Sequence, residues 1–222
     1  MKLLLTDAGV RNVSIRTALI DLLGKPIAEA DALVVPTGLY ALPHGAVQAY
    51  RQIVGADDDG SAMTQLGWKS VGLLELTALP SIDRDQWVGL VKGVDAILVE
   101  GGDPMFLHHW MRESGLADLF DELTDTVYVG LSAGSMIMTP CVGPDFVHWN
   151  RPGGDDTTLA LVDFSIYPHM GSSYFPHKTV EAAEKWAATM PTPVYATDEQ
   201  TAITVIDGKV EVVSEGNWRY FG

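Results

Sequence analysis

Residues 127 to 136, VYVGLSAGSM, set one serine between two glycines, where a run of β-formers gives way to residues that can start a helix. A side chain at such a turn is held outward at the carboxyl edge of a sheet, where ligands bind. The flanking glycines allow a tight turn and let a substrate approach the backbone. The free N–H groups of the following helix can stabilise a developing oxyanion. Ser132 therefore stands where a nucleophile would. Turns built from small residues also produce G-x-S-x-G, so the partners of the serine must be sought.

A serine nucleophile needs a base, and the base needs an orienting acid. Of the six histidines, His108 and His109 fall inside a helical pattern and read as surface or packing residues. His44 and His148 lie in or near loops without supporting context, and His177 follows Pro176 at a helix start. His169 ends the apolar stretch Ile166-Tyr167-Pro168 and precedes Met170-Gly171-Ser172-Ser173, so it too sits at the end of a strand and is the best base candidate. Asp198 and Glu199 follow another short strand. Either could orient His169, although each alone also reads as a solvated turn.

Short apolar strands that alternate with helices position these groups. Leu3–Leu5, Ala32–Val35, Val71–Leu76, Ala96–Val99 and Val127–Val129 read as strands. Between them lie helices started by Asn12, at His44–Val54, after Ser81, from Pro104 and over Leu116–Leu123; residues 56–60 read as a loop. Such alternation predicts an α/β fold, a three-layer sandwich around a mostly parallel central sheet. The later part contains a strand ending at His169, a helix over Pro176–Met190, and strands at Val194–Ala196, Ala202–Ile206 and Val210–Val213. Asp207-Gly208 is a hairpin signal between the last two. No composition shift or repeat marks a boundary, so residues 1–222 read as one domain.

With 47% hydrophobic and 19% charged residues, the chain can pack a core. A net charge of −15 argues against nucleic acid or an anionic membrane as partner. The single cysteine, Cys141, rules out an internal disulfide. The N-terminus reaches Asp7 too soon for a signal peptide, and no apolar run spans a bilayer. These features lead to the expectation of a cytoplasmic protein, monomer or homodimer. Neither a metal nor a cofactor is expected. His108-His109 lack the separation of a helical metal pair, and Gly101-Gly102 lacks the rest of a phosphate-binding fingerprint.

Four segments in order, Val99-Glu100-Gly101-Gly102-Asp103, Gly130-Leu131-Ser132-Ala133-Gly134-Ser135-Met136, Tyr167-Pro168-His169 and Asp198-Glu199-Gln200, resemble the peptidase E family of serine peptidases. That family includes aspartyl dipeptidases, with cyanophycinase as a relative, and its sheet is like that of class I glutamine amidotransferases. The resemblance covers nearly the whole chain. It implies an acyl-enzyme dipeptidase with Ser132 as nucleophile, His169 as base and the amides of Gly102 and Ala133 as oxyanion hole. It favours Glu199 as the orienting acid, with Asp145 and Asp198 as secondary candidates.

The chain departs from aspartyl dipeptidases at the elbow, in Leu131 and Ser135-Met136, and in its cations. The segment from His177 to Met190 carries Lys178 and Lys185 but no arginine to hold an acidic substrate side chain. Arg151, Lys178 or Lys185 could substitute, but a lysine lacks the bidentate fork. Selectivity for aspartate at the first residue is therefore expected to be weak. Two other readings compete: an α/β-hydrolase esterase, whose chain order is Ser, acid, His, and an inactive amidotransferase-like binding module.

Overall fold

The structure, a computed structural model, describes residues 1–54, 62–149 and 155–222; the loop read at 56–60 and Arg151 lie outside them. Among the described residues, ten strands form two sheets. The larger contains β1 (Lys2–Thr6), β2 (Asp31–Val35), β3 (Ser70–Leu73), β4 (Ala96–Val99), β5 (Val127–Leu131), β8 (Thr201–Ile206) and β9 (Lys209–Ser214), in the order β3-β2-β4-β5-β1-β8-β9. Its first five strands are parallel, while β8 and β9 run antiparallel. The smaller sheet is β10 (Trp218–Phe221), β7 (Val194–Thr197) and β6 (Ser165–Tyr167), in that order.

Helices α1 (Val13–Leu23), α2 (Gly45–Val54), α3 (Arg84–Lys92), α4 (Pro104–Glu113), α5 (Ala133–Met136) and α6 (Val180–Ala187) follow the strands. Alternation of side chains along the strands divides the core into two layers. Leu3, Leu5, Leu33, Val35, Ile97, Val99 and Tyr128 face one way, onto Trp87 and Val91 of α3 and Leu107 and Met111 of α4. Leu4, Ala32, Val34, Ala96, Leu98, Val127 and Val129 face the other, onto Ile15, Leu19 and Leu22 of α1. The chain is thus an α/β protein with a mostly parallel sheet covered on both faces.

Local signals explain most of the boundaries. The Asn12 side chain accepts from the Ile15 N–H at 2.8 Å, and Gly24 ends α1 at φ 69°. Asp207 and Gly208, at φ 51° and 78°, make the primed turn that joins β8 to β9. Other boundaries differ from expectation. Asp83, not Ser81, caps α3 by accepting from the Asp85 N–H, because residues 79–81 are taken up by a 3₁₀ turn. The Leu116–Leu123 segment is 3₁₀ over Ala117–Glu122. Helix α6 starts only at Val180, capped by Thr179. Strand β10 was not anticipated.

The elbow after β5 is packed against neighbouring backbone. A Cβ on Gly134 would lie 2.3 Å from the Val99 carbonyl oxygen, and one on Gly130 would lie 2.7 Å from Gly134. Backbone cannot step aside as a flexible side chain can. Gly134→Ala is expected to destabilise the protein by roughly 2–4 kcal/mol, checked by urea denaturation. An unchanged midpoint would show that β4 and the elbow are not in this close contact.

Candidate active site

Ser132 follows β5 and takes φ 50°, ψ −110°, a combination that non-glycine residues rarely adopt. Strain of this kind costs about 1–3 kcal/mol and survives only where the surroundings enforce it. Here Thr6, the last residue of β1, enforces it. Its carbonyl accepts from the Ser132 N–H at 3.0 Å and from the Ser135 hydroxyl at 2.8 Å. Its own hydroxyl donates to the Gly130 carbonyl at 2.6 Å. From the other side, the buried Tyr128 hydroxyl donates to the Gly134 carbonyl at 2.6 Å.

His169 lies just past β6, at φ 65°. Its Nε2 is 2.8 Å from Ser132 Oγ. Its Nδ1 is 3.1 Å from Asp7 Oδ2, while its backbone N–H donates to Asp7 Oδ1 at 2.6 Å. The carboxylate of Asp7 accepts, so the ring proton is assigned to Nδ1, which leaves Nε2 to receive the serine proton. Thr197 Oγ1 donates to Asp7 Oδ1 at 3.0 Å, and Asp7 is 1% exposed. Phe175 stacks on the imidazole, with ring centroids 4.9 Å apart.

The carboxylate facing His169 is therefore that of Asp7 and not Glu199, which corrects the expectation from the sequence. The Met170 N–H donates to the Thr197 carbonyl. That bond brings the end of β7 alongside His169 and carries the turn beyond it past the ring. Glu199 Oε1 accepts from the Ser172 hydroxyl at 2.7 Å and so braces the loop after the histidine. Asp198 organises its own turn, accepting from the Gln200 N–H, the Thr201 hydroxyl and the Asn217 N–H. Asp145 lines the catalytic cavity, but no hydrogen bond links it to His169 among the described residues.

Asp7 was missed, although a signal existed. An acid directly after the apolar strand Leu3–Leu5 must lie at the carboxyl edge of a parallel sheet. What the sequence did not reveal is that β1 pairs with β5, with Thr6 opposite Leu131, so that Asp7 emerges beside Ser132.

A cavity of about 590 Å³ opens over Ser132 and His169. Gly102 and Ala133 line it, and neither amide donates a hydrogen bond among the described residues. Of the other histidines, His148 and His177 line the same cavity. His108 is buried in α4, and His109 packs on Trp149 with centroids 5.0 Å apart. Arg11 and Lys178 also line it, whereas Lys185 does not. The Lys178 ammonium lies over the rings of Phe146, at 3.8 Å, and Tyr167, at 4.4 Å. Burial lowers its pKa to about 8, against the opposing pull of Asp145 and Asp7. Among the described residues, no group of His, Cys, Asp and Glu has the arrangement of a metal site.

The sequence profile of Peptidase family S51 matches residues 3–213. The chain belongs to peptidase family S51. That family is one of serine-type peptidases, which are hydrolases. An uncharacterized peptidase of Pasteurella multocida is 35% identical over 121 residues, which are 50% of this chain and 56% of that protein. The matched part thus spans little more than half of that relative. Two solved structures share the fold. One is a candidate peptidase E protein from Listeria monocytogenes, with a TM-score of 0.67, 19% identity, and coverage of 97% of this chain and 98% of that one. The other is a peptidase from an acI-B1 actinobacterium, with a TM-score of 0.70, 20% identity, and coverage of 98% and 88%. No helix among the described residues of this S51 peptidase is long and apolar enough to cross a membrane.

Glu100, between β4 and Gly101, also lines the cavity and is 2% exposed. Burial raises its pKa from 4.5 to about 7. Between those two pH values the folded protein binds a proton that the unfolded chain does not. This contribution to stability is fully present below the unfolded pKa and is lost as pH rises through the folded one. The shift corresponds to a difference on the order of 3 kcal/mol. Glu100→Gln, neutral in both states, should gain on the wild type by about that amount between about pH 4.5 and 8, measured by urea denaturation. A stability difference that does not change with pH would contradict this.

Proposed function

We propose that this S51 peptidase hydrolyses short peptides, dipeptides among them, through an acyl-enzyme on Ser132. The observation that carries the proposal is the 2.8 Å contact between Ser132 Oγ and His169 Nε2, backed by Asp7 on Nδ1. His169 takes the hydroxyl proton as Ser132 Oγ attacks the scissile carbonyl carbon. It then gives that proton to the leaving amine as the C–N bond breaks. A water repeats the cycle, losing its proton to His169 and releasing the acid from Ser132. Asp7 holds the imidazole in the required tautomer and balances the imidazolium that forms. The amides of Gly102 and Ala133 receive the oxyanion, each contributing on the order of 3 kcal/mol of barrier reduction. The protein acts in the cytoplasm, in keeping with its single cysteine.

The chain order Asp7, Ser132, His169 differs from the Ser, acid, His order of α/β-hydrolases, which argues against an α/β-hydrolase-type esterase. A cavity of about 590 Å³ suits a substrate of two or three residues. The expectation of weak selectivity for aspartate rested on the lack of an arginine between His177 and Met190. Arg11, from outside that segment, lines the cavity beside Lys178 and gives a substrate carboxylate a candidate guanidinium partner despite the net −15.

Ser132→Ala should lower dipeptide turnover by about 10⁴-fold or more and abolish labelling by a fluorophosphonate, with the fold intact by circular dichroism. Turnover that persists in the variant would assign the chemistry to another nucleophile.

A further inference from the structure

The proposed mechanism gives Glu100 no part, yet this buried residue lines the cavity over Ser132 and His169. Other acids in this region are satisfied. Asp103 accepts from the Phe106 and Trp149 N–H groups, and Asp7 from His169 and Thr197. Glu100 Oε1 is sealed from solvent and has no hydrogen-bond partner among the described residues. A buried carboxyl without a donor is unfavourable, and Glu100 lines the cavity that holds Ser132. A donor that arrives with the substrate would satisfy it.

The position of Glu100 indicates which donor. It sits two residues before Gly102, and a Cβ built on the intervening Gly101 would lie 3.5 Å from Ser132 Cβ. This wall belongs to the acyl side of the site, because His169 must face the leaving amine. In a peptide cleaved after its first residue, the α-amino nitrogen is separated from the attacked carbonyl carbon only by Cα. A free amino terminus therefore brings an ammonium to the same wall, and a buried carboxylate is its natural partner. At low dielectric such a pair is strong when its geometry is satisfied.

We propose that Glu100 is the specificity residue that holds the free α-ammonium of the substrate's first residue. The proposal rests on the hydrolase reading of Ser132. It makes the protein selective for unblocked amino termini and leaves the first side chain to be read by other groups.

Three p-nitroanilides test it: alanyl, propionyl (the same acyl group without its amine) and 6-aminohexanoyl (an ammonium at the far end only). The wild type should show a kcat/KM for alanyl at least about 10-fold above propionyl, the worth of one charge-assisted hydrogen bond. Glu100→Gln should bring that ratio close to one, while Glu100→Asp should keep part of it. Each ratio is taken within one protein, so a general loss of folding cancels. A ratio that survives in Glu100→Gln, or no preference in the wild type, overturns the proposal. So does a 6-aminohexanoyl rate equal to the alanyl rate, which would make the recognised cation a side chain. Fluorophosphonate labelling of Ser132 is measured alongside. Labelling with a surviving ratio removes only the role of Glu100, whereas failure to label the wild type removes the hydrolase reading and this proposal with it.

Discussion

The site depends on the parallel pairing of β1 with β5 at Thr6. One residue there sets the geometry of two others. Thr6 holds Ser132 and Ser135 through its carbonyl and Gly130 through its hydroxyl, which also accepts from the Gly9 N–H. Being the last residue of β1, it delivers Asp7 into the space behind His169. The positive φ of Ser132 is strain stored at the elbow. It persists because the bonds from Thr6 and Tyr128 leave the elbow no relaxed alternative.

His169 closes the arrangement from the second sheet. Its backbone and ring both engage Asp7, and the Met170 N–H bonds to the end of β7. Asp7 thus holds the His169 ring and also fastens the smaller sheet to the larger one, with Thr197 as a further tie. Glu199 works one step farther out, through Ser172, on the loop that carries Phe175 over the imidazole. Glu100 and Lys178 both line the cavity.

Much of this was legible in the sequence, because much of it is local. Apolar runs such as Leu3–Leu5 and Ala96–Val99 mark buried strands, the glycines around Ser132 mark an elbow, and Asp207-Gly208 marks a hairpin. His169 was recognisable from its place after an apolar stretch. Asp7 was not, because its relation to His169 spans 162 residues and follows from strand order, which periodicity does not encode. Glu199 drew attention as an acid after a strand near His169, but local turn bonds aim it elsewhere. Ser81 lost its capping role to Asp83 for a similar reason: a 3₁₀ turn occupies the preceding residues. Strand β10, Trp-Arg-Tyr-Phe, is only four residues long and mostly exposed, and it forms by pairing with β7.

The central claim is that Asp7 is the carboxylate that orients His169. Steady-state kinetics of Asp7→Asn and Glu199→Gln, each compared with the wild type on one dipeptide substrate, test it most directly. Asparagine keeps an acceptor for the His169 and Thr197 donors but turns an N–H toward the ring and favours the wrong tautomer. The account predicts that Asp7→Asn lowers kcat by roughly 10³–10⁴-fold, with Glu199→Gln within about 10-fold of the wild type. A crippled Glu199→Gln beside a near-normal Asp7→Asn would contradict it and return the acid to the turn after β7.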